Sequence, residues 1–365
     1  MDGEKRLGEI RQEIDQLDQQ IQQMISRRAE LAQEVAEVKL SAEDSAGGTV
    51  DFYRPEREAQ VLSLVMERNQ GPLGDEEMAR LFREIMSACL ALEKPMRIAF
   101  LGPRGTFTQA AALKQFGKSV TTVPLGAIPD VFHDVESGEA NYGVVPVENS
   151  TEGVITHTLD MFINSPLQIN GEVELRIHHH LMSQLENLDD VVRIYSHQQS
   201  LAQCRDWLEA HLSGVEQVPV SSNAEAARLA SEEKGAAAIA GEVAAEIYEL
   251  GILAHNIEDE PDNTTRFLVI GKQSPRPSGN DKTSLLVSTS NRPGALYDLL
   301  SPFSENGVSM SRIESRPSRR GNWDYLFFVD LEGHSEDENV KDALEKLESN
   351  ATMFRVLGAY PKAIL

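Results

Sequence analysis

The apolar positions of the chain change period twice. From Ile10 through Ile14, Leu17, Ile21, Met24, Ile25, Leu31 and Val35 to Val38 they recur at spacings of three and four. That period puts them on one face and predicts a single amphipathic helix of about 35 residues. SAEDSAGGTVD, from Ser41, breaks the pattern. Pro55 is tolerated in a first helical turn and opens a second helix; GPLGD stops it, and Asp75 caps a third that ends near Glu93. Three helices in fewer than 95 residues, the first very long, make a poor monomeric globule. Their apolar stripes are expected to be buried in an intertwined dimer.

From Met96 to about Lys272, short apolar runs (IAFL, YGVVPV, VVRIYS, AAAIAG, RFLVI) alternate with helical stretches over 127–137, 199–212, 223–234 and 241–249. This alternation predicts an α/β domain with largely parallel strands. QSPRPSGND, from Gln273, is linker-like. A strand (SLLVSTS), a helix from Pro293, strands over 308–316 and 323–331, a helix over 336–348 and a last strand follow, the βαββαβ order of a ferredoxin-like unit. The expected architecture is multidomain: all-α over 1–94, α/β over 96–272, a linker over 273–282 and α+β over 283–365.

Charge narrows the partners. With 58 acidic against 34 basic side chains the net charge is −24, which repels nucleic acid and anionic membranes. A local cationic cluster can still hold a small anion, because screening acts within about 8–10 Å. Cys89 and Cys204 form no metal-binding pair and no disulfide framework. The charged N-terminal stretch has no signal-like apolar core, and no apolar run is long enough to span a bilayer. A soluble, cytoplasmic protein is expected.

Candidate chemistry sits in each segment. Arg28 and Lys39 are about three helical turns apart and share a face, whereas Arg11 lies about 100° away from Arg28. Taken alone, such cations are solvated surface charges. RIAFLGPRGTFTQAA, from Arg97, has the strand, glycine turn and helix start that suit an anion, but neither GxGxxG nor the Gly-Lys-Ser/Thr ending of a nucleotide loop. VPVENSTEG ends a strand with Glu148, Asn149 and Ser150; NTTRFLVI begins one with Thr264, Thr265 and Arg266; YSHQQSLAQC adds Ser196, His197 and Gln203. Strand ends are where open α/β sheets keep ligands. His178, His179 and His180 are adjacent on a strand and point to alternate faces, with no ligand companion at metal spacing, so a half-buried strand is expected there.

RQEIDQLDQQIQQMISRRAELAQEVAEVK with YRPEREAQVL resembles the all-helical chorismate mutases. The resemblance implies that Arg28, Lys39, Arg57, Glu58 and a partner chain's Arg11 contact chorismate, with Lys39 facing the ether oxygen that breaks on the way to prephenate. Arg54, Cys89 and Glu93 stand where that family carries an acid, a serine and a glutamine. Glutamine donates a hydrogen bond to the ether oxygen; Glu93 can do so only when protonated, so mutase activity is expected to fall as pH rises above the acidic range.

GPRGTFTQAA, VPVENSTEG, YSHQQSLAQC and TTRF together resemble prephenate dehydratase. That family has two lobes, like a periplasmic binding protein, and converts prephenate to phenylpyruvate in the cleft. The resemblance implies Thr265 as donor to the departing hydroxyl and Thr106 as a cleft-lining residue. It makes Asn149, Ser150, Ser196 and Gln203 residues that bind or orient substrate, and Arg266 a partner of a substrate carboxylate or an anchor of the loop. Gln198 stands where the family has proline. SNRPGALYDLL and SRIESRP resemble the ACT module, which implies a phenylalanine site between paired modules built from Gly294, Ala295 and Leu296 with Glu314, Ser315, Arg316 and Pro317. In full, the chain resembles the bifunctional chorismate mutase–prephenate dehydratases: a homodimer or higher homo-oligomer, inhibited by phenylalanine, with no metal or organic cofactor.

Overall fold

The computed structural model describes residues 2–46, 53–151, 153–290, 292–317 and 325–364. The first helix, Asp2–Ala46, continues through SAEDSA, where a break was expected. Those residues include neither glycine nor proline, and the breakers Gly47 and Gly48 come just after. Positions 47–52, Asn291 and the expected strand start at 323–324 lie outside the described residues. Helices Pro55–Arg68 and Asp75–Glu93 follow, with Gly74 rather than Asp75 in the cap position and Asp75, Glu76 and Glu77 in the first turn, where the helix dipole favours acids. The apolar stripe of the first helix is largely uncovered: Ile14 is 50%, Met24 64% and Val38 68% exposed.

The middle segment forms two lobes. The first has the strand order Thr121–Leu125, Arg97–Leu101, Tyr142–Asn149, Thr264–Gly271, Gln168–Arg176. The second has the order Gly251–Ala254, His180–Ser183, Ala236–Ala240, Arg193–His197, Glu216–Val220. The largely parallel sheet expected from the sequence is corrected to two mixed sheets. The βα units pair in parallel, but Thr264–Gly271 is antiparallel to both of its neighbours, because it is the return of the chain from the second lobe into the first. Several of these strands were not expected. The stretch expected as one helix over 199–212 is divided at Cys204 into Gln198–Gln203 and Arg205–His211.

The C-terminal segment is the expected βαββαβ unit, its antiparallel sheet ordered Met310–Pro317, Tyr325–Glu332, Asp281–Thr289, Met353–Pro361. Helices Ala295–Glu305 and Glu338–Asn350 cover one face over Leu285, Val287, Val329 and Leu331. The other face docks on the first lobe: Leu286, Phe328, Leu357 and Tyr360 share one buried cluster with Phe132, Phe162, Leu268 and Ile270. Gly358 permits that approach, since a Cβ there would collide with the Ile169 backbone. Among the described residues, no helix is long and apolar enough to cross a membrane.

Two candidate active sites

A cavity of about 380 Å³ opens between the three N-terminal helices. Arg28 and Lys39 reach it from the first helix, Arg54, Arg57 and Glu58 from the start of the second, and Cys89 and Glu93 from the third. The shared face expected for Arg28 and Lys39 is thus the cavity face. Arg11 lies on the same helix about 25 Å from Arg28 at 1.5 Å per residue, out of reach of this cavity within one chain. Four cations and two acids surround a half-apolar space lined by Leu31, Val35, Val61 and Leu90, which suits a compact dicarboxylate.

The two acids are held differently. Glu58 accepts from Arg83 Nε at 3.1 Å and from the Tyr53 hydroxyl. Burial pushes its carboxyl up from the ordinary range, and Arg83 opposes that shift. Glu93 is pushed up by burial as well, against Lys39 and Arg28, and its buried Oε2 has no hydrogen-bond partner among the described residues. A carboxyl so placed favours its protonated, donating form.

The second cavity, about 430 Å³, lies between the lobes. Thr106, Phe107 and Asn149 line it from the first lobe, His179, His197, Ser200, Gln203 and Asn223 from the second, and Asn263 and Thr265 from the crossing strand. Thr265 is the centre of the geometry. It pairs in register with Asn149 on the neighbouring strand, and Asn149 Nδ2 donates to Thr265 Oγ1 at 2.7 Å and to Asn263 Oδ1 at 2.8 Å. With Asn149 as its donor, Thr265 Oγ1 can still donate its own proton. Asn149 Oδ1 accepts from Thr151 N at 3.0 Å, so this amide orients Thr265.

The glycine loop does not cradle an anion with its amides. Gly105, at φ 86°, donates its N–H to Gln109 Oε1 at 2.7 Å, while Thr106 caps the helix Phe107–Phe116 by accepting from Gln109 N. Three other expected residues lie outside the cavity lining, and of the two roles expected for Arg266 its bonds fit the structural anchor. Ser150 accepts from Thr264 N at 2.9 Å and ties the loop to the crossing strand outside the cavity. Ser196 is fully buried, its one hydroxyl proton shared between two acceptors within 3.0 Å, Ile239 O and Asn223 Oδ1, which ties it into the second lobe. Arg266 points away from the cleft, since successive strand residues face opposite sides. Its guanidinium meets Glu172 at 2.8 Å, Asp330 at 2.6 Å and the Tyr360 hydroxyl at 3.0 Å.

His179 is the cleft residue the sequence did not single out. The three histidines diverge. His178 meets Glu258 at 2.7 Å, His180 accepts from Asn256 N, and His179, 1% exposed, meets Gln203 at 2.9 Å inside the cleft. Burial lowers the His179 pKa, which favours its neutral ring. No cluster of metal-ligating side chains occurs among the described residues.

In the C-terminal unit Gly294 adopts φ 82°, a conformation that favours glycine, and starts the helix that carries buried Ala295 and exposed Leu296. Glu314, Ser315, Arg316 and Pro317 lie on the edge strand Met310–Pro317. Arg316 there meets Asp160 of the first lobe at 3.0 Å, and Arg312 meets Glu148 at 3.0 Å.

The chorismate mutase type II family matches residues 10–94, the prephenate dehydratase family residues 98–275 and the ACT domain family residues 283–349. A bifunctional chorismate mutase/prephenate dehydratase of Stutzerimonas stutzeri is 57% identical over 361 residues, covering 99% of both chains. Among solved structures, a prephenate dehydratase of Arthrobacter aurescens in complex with L-Phe matches 73% of this chain and 90% of its own, at 37% identity and a TM-score of 0.67. GqqA, described as a quorum quenching acylase, matches 73% of this chain and 98% of its own, at 31% identity and a TM-score of 0.68. One fold thus carries different activities, and function has to be argued from the residues of the site.

Proposed function

This chain belongs to the bifunctional chorismate mutase/prephenate dehydratase family, and on that premise we propose how its two activities divide between the two cavities. The helical cavity takes chorismate. Arg28, Arg57 and, from a second copy, Arg11 clamp its carboxylates, while Lys39 and protonated Glu93 face the ether oxygen. The rearrangement is intramolecular and needs no nucleophile; holding a compact conformer and stabilising charge on the breaking C–O bond suffice. The interlobe cleft takes prephenate. The substrate carboxylate leaves as carbon dioxide, its bonding electrons enter the ring, and the ring C–O bond breaks with a proton supplied to the departing hydroxyl. Thr265 is the donor, and Asn149 orients it.

The observation that carries the dehydratase half is the 2.7 Å bond from Asn149 to Thr265 Oγ1, which supports a threonine oriented to donate into the cleft. For the mutase half it is the meeting of Arg28, Lys39, Arg57 and Glu93 around one small cavity. We further propose that phenylalanine inhibits by binding the ACT unit near Gly294 and the edge strand. The relative bound to L-Phe and the left-handed Gly294 support this. Glu314 and Arg316 take part from the strand. A second copy would cover the apolar stripe of the first helix and supply Arg11.

Chorismate given alone, with prephenate and phenylpyruvate followed over time, tests all parts together. Lys39→Ala should stop prephenate formation yet still convert supplied prephenate; Thr265→Ala should accumulate prephenate; phenylalanine should suppress phenylpyruvate. A Thr265→Ala enzyme that still makes phenylpyruvate at the parent rate would overturn the cleft assignment.

A further inference from the structure

The helix Phe107–Phe116 of the dehydratase lobe has two ends with different surroundings. At its N-terminus, Thr106, Phe107 and Thr108 line the interlobe cleft. At its C-terminus it packs behind the residues that line the helical cavity, through Tyr53 and Arg83. Tyr53, which lines that cavity, is 5% exposed and belongs to the same buried cluster as Ile98, Phe100, Ala112 and Phe116, the core of the first lobe. Its ring lies 5.3 Å from Phe116 and 5.4 Å from Tyr142, and its hydroxyl accepts from Gln115 Nε2 at 3.1 Å. Glu58 is tied to the same helix through one intermediary: Arg83 Nε donates to Glu58 Oε1 at 3.1 Å while Arg83 Nη1 donates to the Lys114 carbonyl at 2.8 Å. The Arg83 side chain is 7% exposed and that of Glu58 13%. At such burial, neither charge has water to replace a lost partner.

We propose that Arg83 and Gln115 are positioning residues of the mutase reaction, and that the dehydratase helix Phe107–Phe116 is a working part of the mutase site. Arg83 keeps Glu58 ionised and aimed into the cavity; Gln115 fixes the Tyr53 hydroxyl, which in turn bonds Glu58. The charged groups around Glu58 are Arg83 and Glu93 from the third helix, Arg57 from its own helix and Lys39 across the cavity. Behind it, Glu172 and Lys362 line a small gap shared with Glu58 and Arg83. Arg83 is the only one of these bonded to the Glu58 carboxylate among the described residues, so its removal leaves burial to favour the protonated acid.

This inference rests on the helical cavity being the mutase site, which Lys39→Ala tests separately. The experiment uses the full chain. Arg83→Gln should lower mutase kcat/KM at least tenfold and move the acidic limb of its pH–rate profile to higher pH, with turnover of supplied prephenate within twofold of the parent. Arg83→Lys, which keeps the charge but not the two-way fork, should return the limb toward its original position. Gln115→Leu should lower mutase kcat/KM several-fold with prephenate turnover unchanged, which keeps the test open should Arg83→Gln fold poorly. A tie that only joins domains would scale the rate without moving the limb. An unmoved limb in Arg83→Gln and an unaltered mutase in Gln115→Leu would overturn the proposal. If Lys39→Ala abolished mutase activity in the same preparations, the site assignment would survive and this inference alone would fall.

Discussion

Replacing Asp330 by asparagine tests how the ACT sheet is coupled to the dehydratase strand. Thr265 and Asn149 face the cleft; their neighbours Arg266 and Glu148 face the opposite way and are also paired in register. Across the domain boundary, Asp330 and Arg312 are register partners on the ACT strands. The four make a square of alternating charge, Arg266–Asp330 at 2.6 Å and Glu148–Arg312 at 3.0 Å, with Glu172 and the Tyr360 hydroxyl completing the Arg266 fork. Asp330 is 7% exposed in its side chain and Arg266 12%. Removing one member of a buried pair costs about 3–5 kcal/mol when the other is stranded. Here Arg266 keeps Glu172, and asparagine retains one acceptor for Ser284 or Arg266, so about 2–3 kcal/mol is expected. At roughly 2–4 °C per kcal/mol for a domain of this size, the midpoint of the dehydratase transition should fall by about 4–12 °C. Burial pushes the Asp330 carboxyl up, but Arg266, Ser284 and Arg312 outweigh it and leave it below the ordinary range. A lowered folded-state pKa stabilises above the unfolded value, near 3.9, and the gain is lost as pH falls through the folded value. The penalty of the variant should therefore be full at pH 7 and shrink toward pH 3. Dehydratase turnover without phenylalanine should persist while inhibition by phenylalanine weakens at least fivefold. Calorimetry showing an unmoved midpoint, with an unchanged inhibition curve, would refute the coupling.

Glu93→Gln should give a mutase rate flat from pH 5 to 9, whereas the parent rate falls as the buried Glu93 carboxyl ionises; parallel profiles would show that Glu93 is not the donor. Asn149→Ala should lower dehydratase kcat about 10–100-fold with mutase turnover unchanged, since Thr265 loses the bond that aims it. Steady-state kinetics on supplied prephenate checks this, and a change in KM alone would count against it. Gly358→Ala should destabilise the ACT–dehydratase contact by about 1–3 kcal/mol, because its Cβ meets backbone that cannot turn aside; thermal unfolding that matches the parent would remove Gly358 from the docking account.

What the sequence discloses depends on how local the cause is. The shared face of Arg28 and Lys39 follows from helical period alone, and the opposite orientations of Thr265 and Arg266 follow from strand period. The covering of the Arg266 side does not, because Asp330 and Tyr360 lie in another domain, far along the chain. The strands Thr121–Leu125 and Glu216–Val220 carry an inner proline and little alternation. They are edge strands, where pairing on one side suffices and the sequence pattern is weak. Gln168–Arg176 escapes notice because a glycine and polar residues interrupt its apolar positions, although neighbouring sheets bury it. His179 is missed for a related reason: adjacency says that the three rings diverge but not which of them enters the cleft. Ser196 shows the converse, a residue matching a ligand-binding motif whose hydroxyl serves the second lobe.

The three segments are joined to one lobe in unlike ways, and the difference bears on how a signal can pass. A module held by a small polar surface swings by default, whereas one held by a large apolar surface does not. The ACT sheet is of the second kind, since its inner face is continuous with the core that holds Phe132, Phe162 and Leu268. A whole-domain swing would open that core, so the charge square and the edge strand are the elements free to exchange partners while the core stays closed. Arg312 and Arg316 lie on that strand beside Glu314, and their partners Glu148 and Asp160 precede and follow the loop that leaves Asn149. Phenylalanine held at the strand would therefore act on the pair that aims Thr265 through side chains already in contact. The mutase cavity is joined through Tyr53 and Arg83 to the far end of one helix and through the gap that Glu58 shares with Lys362 to the end of the last ACT strand; among the described residues it has no contact with the edge strand Met310–Pro317. Phenylalanine is accordingly expected to act on the dehydratase before the mutase.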